Sequence, residues 1–276
     1  MTPVPMDRTA EIRGARLAWR EAGSGDVVLF VHAFPLDSRM WAPQLAAAPV
    51  GWRFVAPDLQ GFGASGVASV GAPLTMDDIA DDVAGLLDHL GVQRAVLCGL
   101  SMGGYAAFAF WRRHADRVRA LVLSDTRVGA DTAEARAGRF SLAERVLREG
   151  SRAAVEAMFP KMLSPSTVAH RPDVAATVRS IMESAPPSAI VRALYGLAER
   201  PDSTATLPTI TAPALVIVGE DDAVTPPAEA ERIADGIPGA RLVRIPAAGH
   251  FPNLEAPEAF NGALTQFLET LAPVQG

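Results

Sequence analysis

The sequence predicts an α/β fold: a mostly parallel sheet of about eight strands, helices on both faces, and a helical cap inserted after the sixth strand. Short apolar runs alternate with amphipathic stretches from residue 26 to residue 124, and this alternation resumes at residue 214. Between these two blocks the chain has amphipathic patches broken by prolines and no strand-like run. We therefore predict a core formed by residues 1–125 and 207–276, with residues 126–206 as the cap.

The strands are predicted from short apolar runs, several of them continuous, as expected where a parallel sheet is covered on both faces. The first two form a hairpin that is split at Gly14. The predicted strands are residues 9–13, 15–22, 26–31, 53–56, a run that starts at residue 95, 118–124, 214–219 and 240–245.

The helices are predicted from amphipathic stretches between these runs. The stretch at residues 76–90 has Asp77 and Asp78 in its first turn, where the helix dipole favours negative charge, and Gly91 ends it. The predicted helices are residues 38–47, 76–90, a stretch from residue 105 to about residue 114, 132–149, 151–159, 173–183, 187–200, 226–234 and 256–271.

Composition excludes several classes of function. The chain has 276 residues, a formal net charge of −6 and no cluster of Lys and Arg, so nucleic acid and anionic membrane surfaces are not expected partners. The single cysteine, Cys98, allows no internal disulfide. No signal-peptide pattern and no apolar stretch of about 18 residues is visible, so we expect a cytoplasmic protein.

The strongest chemical signal is Gly-Leu-Ser-Met-Gly at residues 99–103, between an apolar run and a run of helix formers. Gly-x-Ser-x-Gly is common by chance, but between a strand and a helix it is typical of a nucleophilic serine on a tight turn. The N-terminus of the following helix would point its backbone N–H groups at the serine, where they favour negative charge. We therefore predict that Ser101 is a nucleophile.

A nucleophilic serine needs a base, and the chain offers five histidines. His89 and His114 lie late in predicted helices, and His170 lies in a proline-rich part of the cap. His32 ends a strand and could approach the site. His250 lies on the loop after the last strand, at the edge of the sheet where a base can reach the serine, and we predict it as the base.

The base in turn needs an orienting acid, and four carboxylates compete for this role. Asp125 follows the strand before the cap, whereas Glu220, Asp221 and Asp222 follow the next strand. A carboxylate cluster in front of Pro226 could simply cap the following helix. We favour Asp222, and Asp125 and Asp221 remain alternatives.

Five segments together resemble the α/β-hydrolase superfamily across essentially the whole chain: His-Ala-Phe-Pro at residues 32–35, and residues 58–65, 99–104, 219–226 and 249–250. The resemblance implies the order Ser101, Asp222, His250 for the catalytic triad, with the acid four residues before the proline. It also implies that the backbone N–H groups of Phe34 and Met102 form the oxyanion hole. Such families usually have His-Gly in the first segment, and here Ala33 replaces the glycine.

Within the superfamily, the pattern looks most like small bacterial carboxylesterases and enol-lactonases. This resemblance implies a serine hydrolase, without cofactor, that cleaves small-molecule esters or lactones with small to medium, mainly apolar acyl groups through an acyl-enzyme. Cofactor-free haloperoxidase-like perhydrolases and carbon–carbon bond hydrolases have similar cores and remain alternatives, as does a non-catalytic small-molecule receptor. Epoxide hydrolases and haloalkane dehalogenases usually carry Asp where this chain has Ser101.

Large apolar side chains of the cap and core are the candidates for contact with the acyl group, although those of the cap could instead pack the cap's own core. These candidates are Phe34, Met158, Phe159, Met162, Leu194 and Phe251. Arg127 could bind a substrate carboxylate, as an enol-lactone requires, or be solvated or salt-bridged. The Gly-x-Gly-x-x-Gly at residues 61–66 is followed by a loop rather than a helix, so no dinucleotide site is predicted. The histidines and the cysteine lack metal-ligand spacing.

Overall fold

The computed structural model describes residues 6–271, and within this range eight strands form one sheet in the order β1-β2-β4-β3-β5-β6-β7-β8. The pairs β1–β2 and β2–β4 are antiparallel, and all other neighbouring pairs are parallel. The predicted mostly parallel sheet is thereby confirmed. The strands are β1 (Met6–Ile12), β2 (Ala15–Gly23), β3 (Asp26–Val31), β4 (Trp52–Pro57), β5 (Ala95–Leu100), β6 (Val118–Ser124), β7 (Ala214–Gly219) and β8 (Arg241–Ile245).

Helices connect the parallel strands and cover both faces of the sheet. Those of the core are α1 (Ala42–Ala46), α2 (Met76–His89), α3 (Met102–His114), α9 (Pro227–Gly236), α10 (Pro252–Glu255) and α11 (Pro257–Glu269). Five more lie between β6 and β7, where the sequence predicts the cap: α4 (Ala133–Glu149), α5 (Arg152–Met158), α6 (Pro165–His170), α7 (Pro172–Ser184) and α8 (Pro187–Ala198). No helix in the described range is both long and apolar enough to span a membrane.

The central strands are apolar throughout because alternate side chains enter two different hydrophobic clusters. Leu29 and Leu97 pack on one side of the sheet with residues of α2 and α3. Phe30 and Cys98 pack on the other side with residues of α1 and α11. Every residue of β5 is buried, so the strand that leads to Ser101 is held firmly in the middle of the molecule.

We keep the name cap for this segment of five helices between β6 and β7, and its helix α8 lies directly against the core. A Cβ at Gly196 would lie 1.8 Å from the carbonyl oxygen of Leu74, so only glycine allows this helix so close to the segment that precedes α2. The backbone N–H of Leu74 donates to the carbonyl of Arg192 on the same helix at 3.0 Å. The side chain of Arg192 also donates to the carbonyl of Ala72 at 2.7 Å.

Several predicted boundaries differ from the observed ones. The helix predicted at residues 38–47 is a 3₁₀ turn, Ser38–Trp41, followed by α1. The short helices α6 and α10 were missed. In α6 the local signal is a cap, because the Ser164 hydroxyl accepts the N–H of Thr167, and not an apolar period. The helix predicted at residues 256–271 begins at Pro257, after α10.

Candidate active site

Three side chains from different parts of the sequence meet at the carboxyl edge of the sheet. Ser101 follows β5, Asp222 follows β7 and His250 follows β8. Because these strands are parallel, their carboxyl ends lie on the same side, where ligands bind in open α/β sheets. His250 Nε2 lies 2.9 Å from Ser101 Oγ, and His250 Nδ1 lies 2.8 Å from Asp222 Oδ2.

Ser101 occupies a strained backbone conformation between β5 and α3. Its φ of 55° and ψ of −112° lie outside the regions that L-residues ordinarily adopt. Two glycines make the tight turn possible. A Cβ at Gly99 would lie 2.2 Å from the carbonyl oxygen of Gly103, and a Cβ at Gly103 would lie 2.1 Å from the carbonyl oxygen of Val31. The motif therefore reflects packing of this turn against both α3 and β3, with Ser101 placed at the N-terminus of α3.

The hydrogen bonds of His250 assign its tautomer. The carboxylate of Asp222 can only accept, so Nδ1 carries the proton and Nε2 accepts from the hydroxyl of Ser101. The imidazole is buried. Its backbone N–H donates to the carbonyl of Met162 in the cap at 2.9 Å, so cap and core together hold this loop.

Asp222 is held as a charged acceptor. Its Oδ1 accepts the backbone N–H groups of Val224 and Thr225, at 2.7 and 3.0 Å, and its Oδ2 accepts the Thr225 hydroxyl at 2.5 Å. Burial alone would raise the pKa of Asp222, but the charge of protonated His250 and these hydrogen bonds lower it below the ordinary value. Asp222 is thus suited to stabilise an imidazolium. It does not cap α9, which begins only at Pro227.

A second carboxyl group, Asp125, lies behind the first. One atom each of Asp125, Asp222 and His250 lie within 4.8 Å of one another, and all three residues are buried. Asp125 Oδ1 accepts the N–H of Gly219 at 2.9 Å, and Oδ2 accepts the Ser124 hydroxyl at 2.6 Å. Burial and the neighbouring charge of Asp222 raise the pKa of Asp125 well above its ordinary value, so of the two carboxyls Asp125 is the one that binds a proton more tightly.

Such a group of two carboxyls and an imidazole has the spacing of a metal site. Here His250 Nδ1 and Asp222 Oδ2 are already hydrogen-bonded to each other at 2.8 Å. The raised pKa of Asp125 also opposes metal binding, because a metal ligand must be the deprotonated carboxylate. The chemistry of this group therefore favours orientation of an imidazole over metal binding.

The loop after β3 presents the predicted oxyanion-hole donor. Among residues 6–271, the backbone N–H groups of Phe34 and Met102 have no hydrogen-bond acceptor. His32 fixes the loop, because its Nε2 accepts the N–H of Leu59 at 3.0 Å and its Nδ1 donates to the carbonyl of Ala33 at 3.0 Å. Ala33 does not have positive φ, so its methyl group causes no backbone strain in this loop.

The other candidates for base and acid lie elsewhere. His89 and His170 are exposed, and His114 lies 2.8 Å from Asp81 on the surface of the core. Burial lowers the pKa of His32, and both its ring nitrogens are used within the loop. The two remaining carboxylates of the cluster point to solvent: Glu220 and Asp221 are both exposed.

The predicted substrate-contacting residues differ in burial. Phe34, Met162, Leu194 and Phe251 are buried, whereas Met158 and Phe159 are half-buried. The Phe159 ring also lies under the guanidinium of Arg179, 4.2 Å from its ring centre. Their contact with an acyl group stays a prediction.

Arg127, the candidate for binding a substrate carboxylate, donates through Nη2 to the carbonyl of Val224. Val224 lies two residues after Asp222, so this contact links the segment after β6 to the loop of the acid. A role of Arg127 toward substrate stays a prediction.

Two contributors to the site were not recognised in the sequence. Thr225 holds Asp222 from three residues away, a spacing at which Asp commonly accepts backbone and hydroxyl donors, and that signal was available. Glu255 contacts the loop of the base, where its Oε1 accepts the N–H of Phe251 at 3.0 Å. Its position gives no sign of this role, because in the sequence it lies just outside the helix predicted at residues 256–271 and carries no motif.

Comparison with known proteins gives the family. A sequence profile of the alpha/beta hydrolase fold matches residues 26–257. The 3-oxoadipate enol-lactonase 2 of Acinetobacter baylyi is 27% identical over 237 residues, which cover 86% of this chain and 86% of the enol-lactonase.

Solved structures that resemble this chain belong to the same kind of protein as its sequence relatives. A thermophilic esterase from Thermogutta terrifontis is 43% identical with a TM-score of 0.91, over 96% of this chain and 99% of the esterase. The enol-lactonase from Burkholderia xenovorans LB400 is 30% identical with a TM-score of 0.87, over 95% of this chain and 100% of the enol-lactonase. With its eight-stranded sheet and its serine turn after β5, the chain belongs to the alpha/beta hydrolase fold family.

Proposed function

We propose that this protein is a serine hydrolase that cleaves carboxylic esters or lactones through an acyl-enzyme intermediate. The observation that carries the proposal is the continuous hydrogen-bonded chain from Ser101 Oγ to His250 Nε2 at 2.9 Å, and from His250 Nδ1 to Asp222 at 2.8 Å. A nucleophile, a base and an orienting acid are the minimum that this chemistry needs.

The geometry supports the following sequence of steps. His250 Nε2 takes the proton from Ser101 as Oγ attacks the carbonyl carbon, and Asp222 stabilises the imidazolium that forms. The N–H groups of Phe34 and Met102 donate to the oxyanion, and one such donor is typically worth about 3 kcal/mol of transition-state stabilisation. His250 then gives its proton to the leaving alcohol. Water repeats the sequence on the acyl-enzyme, which releases the acid and restores Ser101.

The proposed substrates have small to medium, mainly apolar acyl groups. The cap supports this choice, because the backbone carbonyl of Met162 accepts the His250 N–H and brings this apolar segment of the cap to the loop of the base. The esterase and the two enol-lactonases among the similar proteins support ester or lactone cleavage. For a lactone, the alcohol stays attached to the acyl group, so a single hydroxy or keto acid is released.

The test is hydrolysis of p-nitrophenyl butyrate and of a six-membered lactone by the wild type and by Ser101→Ala. We expect Ser101→Ala to lower kcat/KM by at least about 10³-fold for both compounds. Ser166→Ala, an exposed serine of the cap, is the matched control and should retain wild-type rates. A wild-type rate no higher than that of Ser101→Ala would overturn the proposal. The ratio of ester to lactone rates assigns the preferred class.

A further inference from the structure

One segment of the cap, Met162 to Ser164, lies directly on the loop that carries the base. The N–H of His250 donates to the carbonyl of Met162 at 2.9 Å, and the Ser164 hydroxyl donates to the carbonyl of Ala247 at 2.8 Å. The approach is so close that a Cβ at Gly249 would lie 2.5 Å from the backbone nitrogen of Ser164. Cap and core backbones are therefore in direct contact beside the active site.

The carboxylate of Glu255 accepts hydrogen bonds from both sides of this contact. Its Oε1 accepts the N–H of Phe251, the residue after the base, at 3.0 Å, and its Oε2 accepts the N–H of Ser164 at 2.8 Å. The side chain is only 6% exposed. A buried carboxylate is costly unless charge-assisted hydrogen bonds satisfy it, and here one donor comes from each side of the contact. The two donors are far apart in the sequence, and both bond to this one carboxylate.

We propose that Glu255 is a positioning residue for His250, which it orients by tying the loop of the base to residues 162–164 of the cap. On this assignment these cap residues are a fixed wall of the active site that stays closed on the core during turnover. The inference rests on the proposed function, because it assumes that His250 acts as the base. The orientation of His250 matters because a shift of about 1 Å in a catalytic group can lower the rate about 10²-fold.

Glu255→Gln is the appropriate variant, since it keeps the size of the side chain but turns one acceptor oxygen into an N–H₂ group that faces a backbone N–H. We expect kcat per active site to fall about tenfold to hundredfold while KM changes little. Active sites are counted by titration with a fluorophosphonate, which labels Ser101. Glu258→Gln, an exposed glutamate at the start of α11, is the matched control and should match the wild type.

The titration separates positioning from simple structural support. A structural role predicts fewer titratable sites with an unchanged kcat per site, and that result would overturn the proposal, as would a Glu255→Gln enzyme with wild-type kcat. If Glu255→Gln does not fold, Ser164→Ala tests the same tie from the cap side. It removes the bond to Ala247 and should also lower kcat per site, by a smaller factor.

Amide hydrogen exchange gives a readout that does not depend on activity. In the wild type, peptides covering residues 162–168 and residues 248–254 should both exchange slowly, and Glu255→Gln should accelerate both. Rapid exchange of the cap peptide in the wild type would mean that this segment opens as a lid, which contradicts the proposal. If the wild type neither hydrolyses esters nor reacts with the fluorophosphonate, the proposed function fails, and the exchange experiment still decides whether the tie exists.

Discussion

Two buried carboxyl groups next to the same imidazole have opposite electrostatic roles. Two like charges this close in a buried site repel each other, so the pKa of one carboxyl is raised. The pKa of Asp222 is lowered, with its burial outweighed by His250 and Thr225, whereas burial and the charge of Asp222 raise the pKa of Asp125. The charged form is therefore favoured at Asp222, the partner of His250, and the neutral form is favoured at Asp125.

This difference predicts unequal effects of removing each carboxylate. Asp222→Asn should lower kcat by about 10⁴-fold, because an amide favours the wrong imidazole tautomer. Asp125→Asn should keep kcat within about tenfold, since the hydrogen bond to His250 Nδ1 comes from Asp222 and the amide retains an acceptor for the Gly219 N–H. Steady-state kinetics on p-nitrophenyl butyrate, with circular dichroism to verify folding, measures both. The reverse ranking would make Asp125 the acid.

At the scale of single residues, the sequence predicts the site residues whose role shows in the few residues around them. Ser101 is recognisable because its turn needs glycine on both sides, and His250 because it follows the last strand. The raised pKa of Asp125 and the contact of Glu255 with Ser164 depend on burial and on segments far apart in the chain. No local pattern encodes such contacts, so sequence reasoning could weigh Asp125 only as a competing acid and missed Glu255.

At the scale of elements, the close packing of α8 on the core makes a specific prediction about two glycines. Gly196→Ala should lower the free energy of unfolding by about 1–3 kcal/mol, because its methyl group would overlap the carbonyl of Leu74. Gly138 lies inside α4, is exposed and has nothing within 4 Å of a built Cβ. Gly138→Ala should therefore raise the free energy of unfolding, by up to about 1 kcal/mol, through helix propensity alone.

Urea denaturation of both variants and the wild type measures these differences through the transition midpoint and the slope. The two substitutions are chemically identical and both lie in cap helices, so helix propensity is common to them. An equal gain in stability for both would show that α8 does not lie against the core as described.

Repetition of apolar positions over several turns makes the long cap helices predictable. Helices of 12 to 17 residues, such as α4, α7 and α8, repeat their apolar positions over several turns, and their predicted ends differ from the observed ones by about two residues or fewer. The helices α6 and α10 have six and four residues. A periodic pattern cannot develop over so few residues, and their existence depends on capping and on tertiary contacts.

At the scale of the whole molecule, cap and core share their hydrophobic interior. One cluster joins Leu97 of the sheet to Leu194 of α8, and the other joins Cys98 to Met162 of the cap. The sequence predicts the number of strands and the place of the insertion, but strand order and this shared interior follow from long-range packing. Because the cap is packed continuously with the core, we expect substitutions that destabilise the whole protein also to disturb the active site.

The pH dependence of overall stability should carry two opposing contributions from neighbouring residues of α2. Burial raises the pKa of Asp82 to about 6, despite its bonds to Gln60 and Arg13. The folded state therefore binds a proton more tightly than the unfolded state, so this contribution to stability is present at low pH and is lost as pH rises toward about 6. The hydrogen bonds from Arg113 instead lower the pKa of Asp81, and its contribution is lost only as pH falls through the folded pKa, below 3.8.

Substitution of each residue by Asn tests the signs. Relative to the wild type, Asp82→Asn should gain stability between pH 4 and pH 7, by at most about 3 kcal/mol, because the wild type alone must bury a charge at the higher pH. Asp81→Asn should show the opposite trend between pH 3 and pH 7, since only the wild type acquires the ion pair with Arg113 as the carboxyl ionises. Free energies of unfolding from urea titrations at each pH give both slopes. Parallel pH curves for the wild type and Asp82→Asn would mean that Asp82 ionises in the folded protein as readily as in the unfolded chain, and that burial does not control its charge.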